Sequence, residues 1–310
     1  MKKTYILFCL LALILAASPA RAAYIDLGVA GEFNTFILGD FTGLNSDTGG
    51  SLAVGGNATM SSYGVGTALG DGYTGNSLVV GGDLNYTNGQ VDHGDVTVAG
   101  STGASAFTLA DGTLINDGSL PFSFADQQTY LEALSISLRD MDPHGSVANS
   151  YGAIALTGDG SSMFQIFNLV GADLLSAYAL TIDQIADGAT ILINVSGTST
   201  GLTNMNMDGL ADHSANILFN FYEADELFLE GVSVKGSILA PFADVTSQYG
   251  GGGNIYGTLI ASSYDAYMEQ HDVPFTSTTP VPEPGTFLLM GAGLLALALF
   301  ARRRVQRVKA

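Results

Sequence analysis

The sequence predicts a mainly β protein, a β-solenoid (β-helix-like) with one packed α-helix. Three observations carry this prediction: a repeated strand-and-turn segment, short apolar and polar alternations broken by Gly and Asn, and 40 glycines among 310 residues. The hydrophobic share of 47% argues against disorder. A β-sandwich stays open as the alternative fold, because the repeats are few and irregular.

The clearest repeat pairs residues 51–58 (SLAVGGNA) with residues 77–84 (SLVVGGDL), an offset of 26 positions. Alternate residues of each short strand point to the same face, and we expect the Gly-Gly pair that follows to form a corner with positive φ. A second set of strands contains Gly236 and Gly257, 21 positions apart. Repeats of this length are typical of solenoids, whose stacked rungs bury a continuous core.

One helix is predicted over residues 124–142, where apolar residues recur every three or four positions. Ser123 and Asp126 resemble a capping box at its start, and Pro143 ends it. We expect its apolar stripe to cover the solenoid or to plug one end. The stripe consists of Leu131, Leu134, Leu138 and Met141.

The first 22 residues have the three parts of a secretory signal peptide. Two lysines form the charged start, residues 5–17 form the apolar helix, and residues 20–22 (Ala-Arg-Ala) form the cleavage site. We therefore expect cleavage between Ala22 and Ala23. The lone cysteine, Cys9, lies in this segment, so the mature chain has no disulfide and no cysteine-based zinc site.

A Thr/Pro linker, 276–280, separates the body from a tail with three parts, 281–285, 286–301 and 302–310. The middle part is apolar and predicts a transmembrane helix. It is shorter than the roughly 20 residues that span a bilayer comfortably, but flanking arginines can snorkel. The basic end stays cytoplasmic by the positive-inside rule. With the signal peptide, this places the body, residues 23–275, outside the inner membrane.

This tail resembles the PEP-CTERM protein-sorting signal of Gram-negative bacteria. The resemblance implies recognition by an exosortase-type membrane enzyme, cleavage near the Pro-Glu-Pro motif, and release to the cell surface or exopolysaccharide. An ordinary single-pass tail anchor is the alternative. The matching residues are Pro282, Glu283 and Pro284, the apolar run, and the basic anchor Arg302, Arg303 and Arg304.

The body is strongly acidic. The chain carries 29 acidic and 10 basic residues, but only Arg139 and Lys235 are basic between residues 23 and 280. Against 28 acidic residues in that stretch, they leave a charge of −26. Nucleic-acid binding is excluded, because affinity for phosphate comes from Lys and Arg. A polysaccharide lyase is disfavoured, because it needs positive charge to hold the substrate carboxylate.

No motif supports an enzyme. The sequence has no G-x-S-x-G elbow, and His93, His144, His213 and His271 have no metal-binding spacing. We therefore expect a non-enzymatic protein, with a carbohydrate-active enzyme (polysaccharide lyase or hydrolase) as an alternative. Ice binding lacks the regular Thr lattice that it would need.

Calcium is the one cofactor left open. Asn204, Asn206 and Asp208 match the first half of a calcium-binding loop, with Asp212 at its ninth position, but the twelfth residue, Ala215, is not Glu. An ordinary Asn/Asp/Gly turn is the competing interpretation. A calcium-dependent carbohydrate-binding module is therefore a further alternative function.

The body also resembles the choice-of-anchor A family, described as a bacterial adhesive domain. The resemblance implies an extracellular β-helical domain joined to different anchors. We predict a secreted protein with an adhesive or structural role in the exopolysaccharide or biofilm matrix. Its partners would be the exosortase-type enzyme, a matrix or glycan surface and, before processing, the inner membrane. The matching segments are 33–41, 47–58, 78–84, 217–221, 236–245 and 257–261.

Overall fold

The computed structural model describes residues 24–116, 118–247, 252–278 and 293. Residues Ile25–Thr278 form one compact unit. The predicted signal helix lies outside the described residues, which include only Gly293 of the predicted transmembrane helix. Within the described part of the chain, no helix is both long and apolar enough to cross a membrane.

The unit Ile25–Thr278 is a parallel β-solenoid, so the β-sandwich alternative is wrong. Nineteen strands join one sheet, and the pairs in it are parallel, whereas a β-sandwich is antiparallel. The strands of the first half of the chain are β1 (Thr35–Ile37), β2 (Phe41–Thr48), β3 (Leu52–Val54), β4 (Ala58–Val65), β5 (Asn76–Val80), β6 (Leu84–Val91), β7 (Asp95–Val98), β8 (Thr102–Leu109) and β9 (Leu114–Ile115).

The second half follows a helix, α1 (Phe124–Arg139), and contains a short helix, α2 (Gly171–Leu175). Two 3₁₀ helices, η1 (Gly28–Glu32) and η2 (Asp208–Asn216), complete the described elements. The strands of the second half are β10 (Ser146–Ser150), β11 (Ala153–Thr157), β12 (Phe164–Val170), β13 (Ala179–Asp183), β14 (Thr190–Ser196), β15 (Ser199–Thr203), β16 (Ile217–Phe221), β17 (Glu226–Glu230), β18 (Ser233–Lys235), β19 (Ser237–Thr246), β20 (Gly253–Tyr256), β21 (Leu259–Ala266) and β22 (Met268–His271).

The solenoid has three faces. Face A contains β12, β14, β16, the starts of β19 and β21, then β1, β3, β5, β7 and β9. Face B contains β15, β17, the ends of β19 and β21, then the starts of β2, β4, β6 and β8. Face C contains β18, β20, β22, then the ends of β2, β4, β6 and β8.

The chain enters the solenoid in its middle. It winds from β1 to one end at β9, returns along face A through α1, and starts again at the other end with β12. It then winds back to the middle, where β21 pairs with both β1 and β2. The two halves therefore meet at a seam between rungs that are more than 200 residues apart in sequence.

The predicted repeat is a pair of stacked rungs, because Leu52 lies in register with Leu78 and Val54 with Val80. The reason given for its glycines is wrong. A Cβ on Gly81 would lie 2.3 Å from the Gly55 carbonyl oxygen, so close backbone approach, and not a positive φ, requires glycine there. The left-handed corners lie between faces B and C, at Asn45, Ser62, Asn88 and Ala106.

Helix α1 covers face A, so it covers the side of the solenoid and does not plug its end. It begins after Ser123, whose hydroxyl accepts the Asp126 N–H at 3.2 Å, and ends at Arg139, three residues earlier than predicted. Leu131 and Leu138 are buried against apolar residues that point outward from face A. These residues form two neighbouring columns: Ile166, Leu192 and Leu218 in one, and Leu239, Ile260, Phe36, Ala53 and Val79 in the other, which is in register with Asn220.

An asparagine ladder on face A fixes α1 in register. Asn220 Nδ2 donates to the Ser135 carbonyl at 2.9 Å and to Asn194 Oδ1 at 2.8 Å, and the Ser135 hydroxyl donates to Asn220 Oδ1 at 2.6 Å. Asn194 Nδ2 in turn donates to the Leu138 carbonyl at 2.9 Å. These buried polar groups are satisfied together, which is the condition for a stabilising network.

Candidate functional site

Both chain ends leave the solenoid near β12 and β14. The described C-terminal segment ends with Thr278, whose N–H donates to Thr190 Oγ1 at 2.7 Å and whose hydroxyl donates to the Gly188 carbonyl at 3.0 Å. The Ile25 N–H donates to Ser277 Oγ at 3.0 Å, so the two ends of the unit lie side by side. The sequence beyond them holds the predicted processing residues.

These predicted processing residues lie outside the described residues, and their roles stay predictions. They are Ala22 and Ala23 at the signal cleavage point, Pro282, Glu283 and Pro284 in the sorting motif, and Arg302, Arg303 and Arg304 in the basic anchor.

The calcium candidates lie in and beside one shallow depression. Asn204, Asn206 and Asp208 line this space of about 400 Å³, together with Met205, Met207, Gly231 and Ser233. Asn206 Oδ1 accepts the Asp208 N–H at 2.9 Å, which is an Asx turn. Asn204 adopts a left-handed φ of 49°. This geometry is that of an Asn/Asp/Gly turn, with one carboxylate at its rim.

The fourth candidate, Asp212, is exposed within η2. Within the described ranges, no group of three or more His, Cys, Asp and Glu side chains could hold a metal ion. The residues around the depression therefore offer few free oxygen ligands, because one amide oxygen is already used in the turn.

A polar ladder runs along the corner between faces A and B. Asp40 Oδ1 accepts the Asn57 N–H at 2.7 Å, Asn57 Oδ1 accepts the Asp83 N–H at 2.9 Å, and Asp83 Oδ1 accepts the Ser101 N–H at 2.7 Å. These bonds to the Ser101 N–H and hydroxyl lower the pKa of Asp83. The sequence signal for this ladder, an Asp, Asn or Ser just before each face B strand, was missed.

The outward row of face B is mixed. In spatial order it contains Gly201, Phe228, Thr246, Asp265, Thr42, Thr59, Asn85 and Gly103. Threonines occupy only three of these eight positions, and Asp265 separates Thr246 from Thr42. Face B therefore has no regular array of threonines, in agreement with the sequence, which also contains no such array.

Face C carries a stack of three side chains from successive rungs. Lys235 Nζ lies 3.6 Å from the centre of the Tyr256 ring, and the His271 ring stacks on its other side at 4.3 Å. His271 Nε2 lies 3.7 Å from Glu269 Oε1. The stack forms only through the strand register, so the sequence could not indicate it.

Asp47 lies on face C beside Glu269. Burial, and then the neighbouring Glu269 carboxylate, raise the pKa of Asp47 above its ordinary value. His271 and the hydrogen bond from the Thr67 hydroxyl lower the pKa of Asp47, and Asp92 raises it by a smaller amount. Asp47 and Glu269 belong to opposite sides of the seam, so they place like charges where the two halves meet.

The tyrosines of the repeat region, which could stack on sugar rings if they were exposed, are largely inside the protein. Tyr63 and Tyr86 are fully buried, and the Tyr86 hydroxyl donates to the Tyr63 carbonyl at 2.7 Å. Burial raises the pKa of Tyr86 well above its ordinary value. Tyr73 is partly buried and its hydroxyl lies 3.2 Å from Ser51 Oγ. These tyrosines therefore serve packing.

The described residues therefore form a β-solenoid whose faces B and C carry polar side chains, while α1 covers the apolar outer side of face A. The chain belongs to the family described as "Putative Ice-binding-like adhesive domain", which matches residues 26–272. The family described as "PEP-CTERM protein-sorting motif" matches residues 280–304. An adhesive domain followed by this motif indicates a secreted, cell-surface protein, and such domains point to a non-enzymatic role. The choice-of-anchor A name is not the one that these matches carry.

Two solved structures are similar to this chain. An ice-binding protein from an Antarctic Biological Consortium is 16% identical, with a TM-score of 0.38, and the match covers 82% of this chain and 91% of that one. An ice-binding protein from the Antarctic ascomycete Antarctomyces psychrotrophicus is 14% identical, with a TM-score of 0.31, covering 83% of this chain and 100% of that one. A search of curated proteins gives no match.

Proposed function

We propose that the solenoid is a non-enzymatic adhesive or structural domain, sorted by an exosortase-type enzyme to the cell surface and held in the exopolysaccharide or biofilm matrix. The observation that carries the proposal is the order of the two family matches, an adhesive domain at 26–272 and a sorting motif at 280–304. We also propose that this is a choice-of-anchor A domain, a class of domain attached to different anchors in different bacteria.

The solenoid supports this role through its shape and charge. Faces B and C present rows of polar side chains at the spacing of stacked strands, about 4.8 Å. A broad patterned surface suits contact with a polymer or a cell surface. The charge of −26 between residues 23 and 280 would repel an anionic polysaccharide unless cations bridged the two. A neutral glycan, or an anionic one with bridging cations, is the partner that fits.

The sorting step is tested by replacing Pro282, Glu283 and Pro284 together with alanine. Recognition of the motif would be lost, so the variant should stay in the inner-membrane fraction while the wild type reaches the surface or medium. The matched control replaces the two linker residues that directly follow the solenoid, Thr279 and Pro280, with alanine. Normal release of the Pro-Glu-Pro variant would count against exosortase-type sorting.

Adhesion is tested separately, with cells that display the protein and cells that lack it. Displaying cells should bind better to extracted matrix or to a glycan array. Equal binding by both kinds of cell would reject the adhesive role and leave the sorting proposal intact. Release of reducing sugars from neutral or acidic glycans would instead favour a carbohydrate-active enzyme.

A calcium-dependent carbohydrate-binding module is the second proposal, because Asn204, Asn206 and Asp208 line one depression. Calorimetric titration of the protein with CaCl₂ tests it, with the Asp208→Asn variant as the control. The proposal predicts binding heat in the wild type and its loss in the variant. Absence of both calcium heat and any thermal shift in the wild type would reject it.

A further inference from the structure

The last full rung of the solenoid, built from β7 and β8, leaves one edge open, because the short strand β9 stacks only on β7. Strand β8 pairs with β6 along its whole length, and β9 pairs with β7. Among the described residues, no strand pairs with the other edge of β8. The Asn116 side chain contacts only its first residue, with the amide 3.0 Å from Thr102 Oγ1. A row of backbone N–H and C=O groups therefore faces solvent, which is a template for strand pairing.

The core is also incomplete at this end. The inward position that holds Tyr86 in β6 is taken in β8 by Ala104, which is exposed. Phe107 and Leu109 point into the core but are only partly buried, and Leu114 is 41% exposed. Apolar groups at a solenoid end are normally covered by a cap, because each rung buries its face only against a neighbour.

This edge lacks two of the usual protections against pairing, charged side chains and proline. Edge strands are commonly blocked by charged side chains or proline. The fifteen residues between Asp95 and Asp111 contain no charge and no proline, in a body with a charge of −26. The outer positions are small as well, with Gly103, Ser105 and Ala106 exposed. A second backbone can therefore approach closely without meeting like charge.

We propose that this end binds a second copy of the same chain, with β8 of one copy pairing antiparallel to β8 of the other about a two-fold axis. Such a contact uses the same surface on both partners and closes after two copies. It joins two acidic bodies at an uncharged segment of each, which keeps their charges apart. It also covers the exposed ends of both cores.

The chain's own remaining segments start far from this edge. They continue from Tyr24 and Thr278, and the residues next to both contact Thr190 in β14 or its neighbours. From β14 to β7 there are seven rung steps along face A, or roughly 34 Å at about 4.8 Å each. The open end is thus distant from the point where the sorted tail leaves, so it stays accessible in an anchored protein. The inference does not depend on the adhesive role.

The test uses the full-length chain in detergent, with Cys9→Ser as background so that each variant has one cysteine. Oxidation should cross-link Ser105→Cys as a dimer, because residue 105 lies in the pairing segment. Thr59→Cys is the matched control, since Thr59 is an exposed face B residue two rungs away, and it should stay monomeric. A dimer linked equally well by both, or by neither, would overturn the proposal.

Charge variants test the same contact by sedimentation. Ser105→Lys and Ser105→Asp should each raise the dissociation constant by about tenfold or more, because like charges then meet near the two-fold axis. Mixing the two variants should restore the dimer, which an unfolded variant could not do. Thr59→Lys should have no effect. A monomeric wild type, or polymers longer than a dimer, would contradict the two-fold pairing.

Discussion

The two ends of the solenoid are built differently. At the β12 end, the His144 and Gly145 N–H groups both donate to the Ile166 carbonyl, at 3.0 and 3.2 Å. Helix α2 lies against β15, and the small sheet of β10, β11 and β13 covers the interior. At the β8 end there is no equivalent cover among the described residues. The open end is therefore where association is expected.

The buried residues follow the same contrast. Ile154, Leu156, Leu174 and Leu180 come from the cap and are buried in the same cluster as Phe167 of β12. At the other end, Phe107 and Leu109 join that cluster only from its margin. The core is therefore fully buried at the capped end. At the β8 end it is only partly buried, and a second copy would cover the exposed part.

The largest expected effect comes from removing one phenylalanine at each end. Phe167 is fully buried, with Gly145 packed on its ring, so Phe167→Ala should cost about 3–5 kcal/mol of unfolding free energy. Phe107 is half-buried beside Tyr86, with ring centres 4.9 Å apart, so Phe107→Ala should cost less than about 2 kcal/mol in the monomer. Denaturant unfolding measures both, and equal losses would contradict the contrast.

The next effect concerns glycines inside and at the edge of the stack. A Cβ on Gly81 would lie 2.3 Å from the Gly55 oxygen, so Gly81→Ala should destabilise the protein by about 1–3 kcal/mol. A Cβ on Gly103 of β8 meets nothing closer than the Leu84 oxygen at 3.8 Å, so Gly103→Ala should stay within about 0.5 kcal/mol of wild type. Thermal unfolding of the pair checks this, and a cost at Gly103 matching that at Gly81 would refute it.

The smallest effect lies at the seam between the two halves. Because the folded-state pKa of Asp47 is raised, the folded protein holds that proton more tightly than the unfolded chain does. The contribution of Asp47 to stability therefore falls as the pH rises through the interval between its ordinary pKa and its folded value. Asp47→Asn should stabilise the protein slightly at neutral pH and have no such advantage in acid below the ordinary value. A gain that is equal at both pH values would reject a titration effect.

Local patterns predicted the local structure well. The 26-residue offset became the stacked pair Leu52 and Leu78, and the cap at Ser123 began α1 as expected. Only two of the four left-handed corners carry a sequence signal, because asparagine, at Asn45 and Asn88, is typical of that conformation. Ser62 and Ala106 are not typical of the left-handed conformation, so the sequence does not indicate a corner at either residue. They adopt it because the stacked backbone imposes the corner on them.

Long-range order was not predictable from the sequence. The seam pairs Thr35 with Leu259, and no repeat in the sequence connects the two positions. The stack of Lys235, Tyr256 and His271 depends on the register across three strands. The calcium candidates were found from spacing, but only the fold places Asn206 in a turn that uses its own side-chain oxygen.

Surface display of a sorted solenoid is tested most directly by intact-mass spectrometry of the protein recovered from the cell surface and medium. We expect a chain that begins at Ala23 and ends near the Pro282 to Pro284 motif. A surface protein that retains Arg302, Arg303 and Arg304 would contradict it.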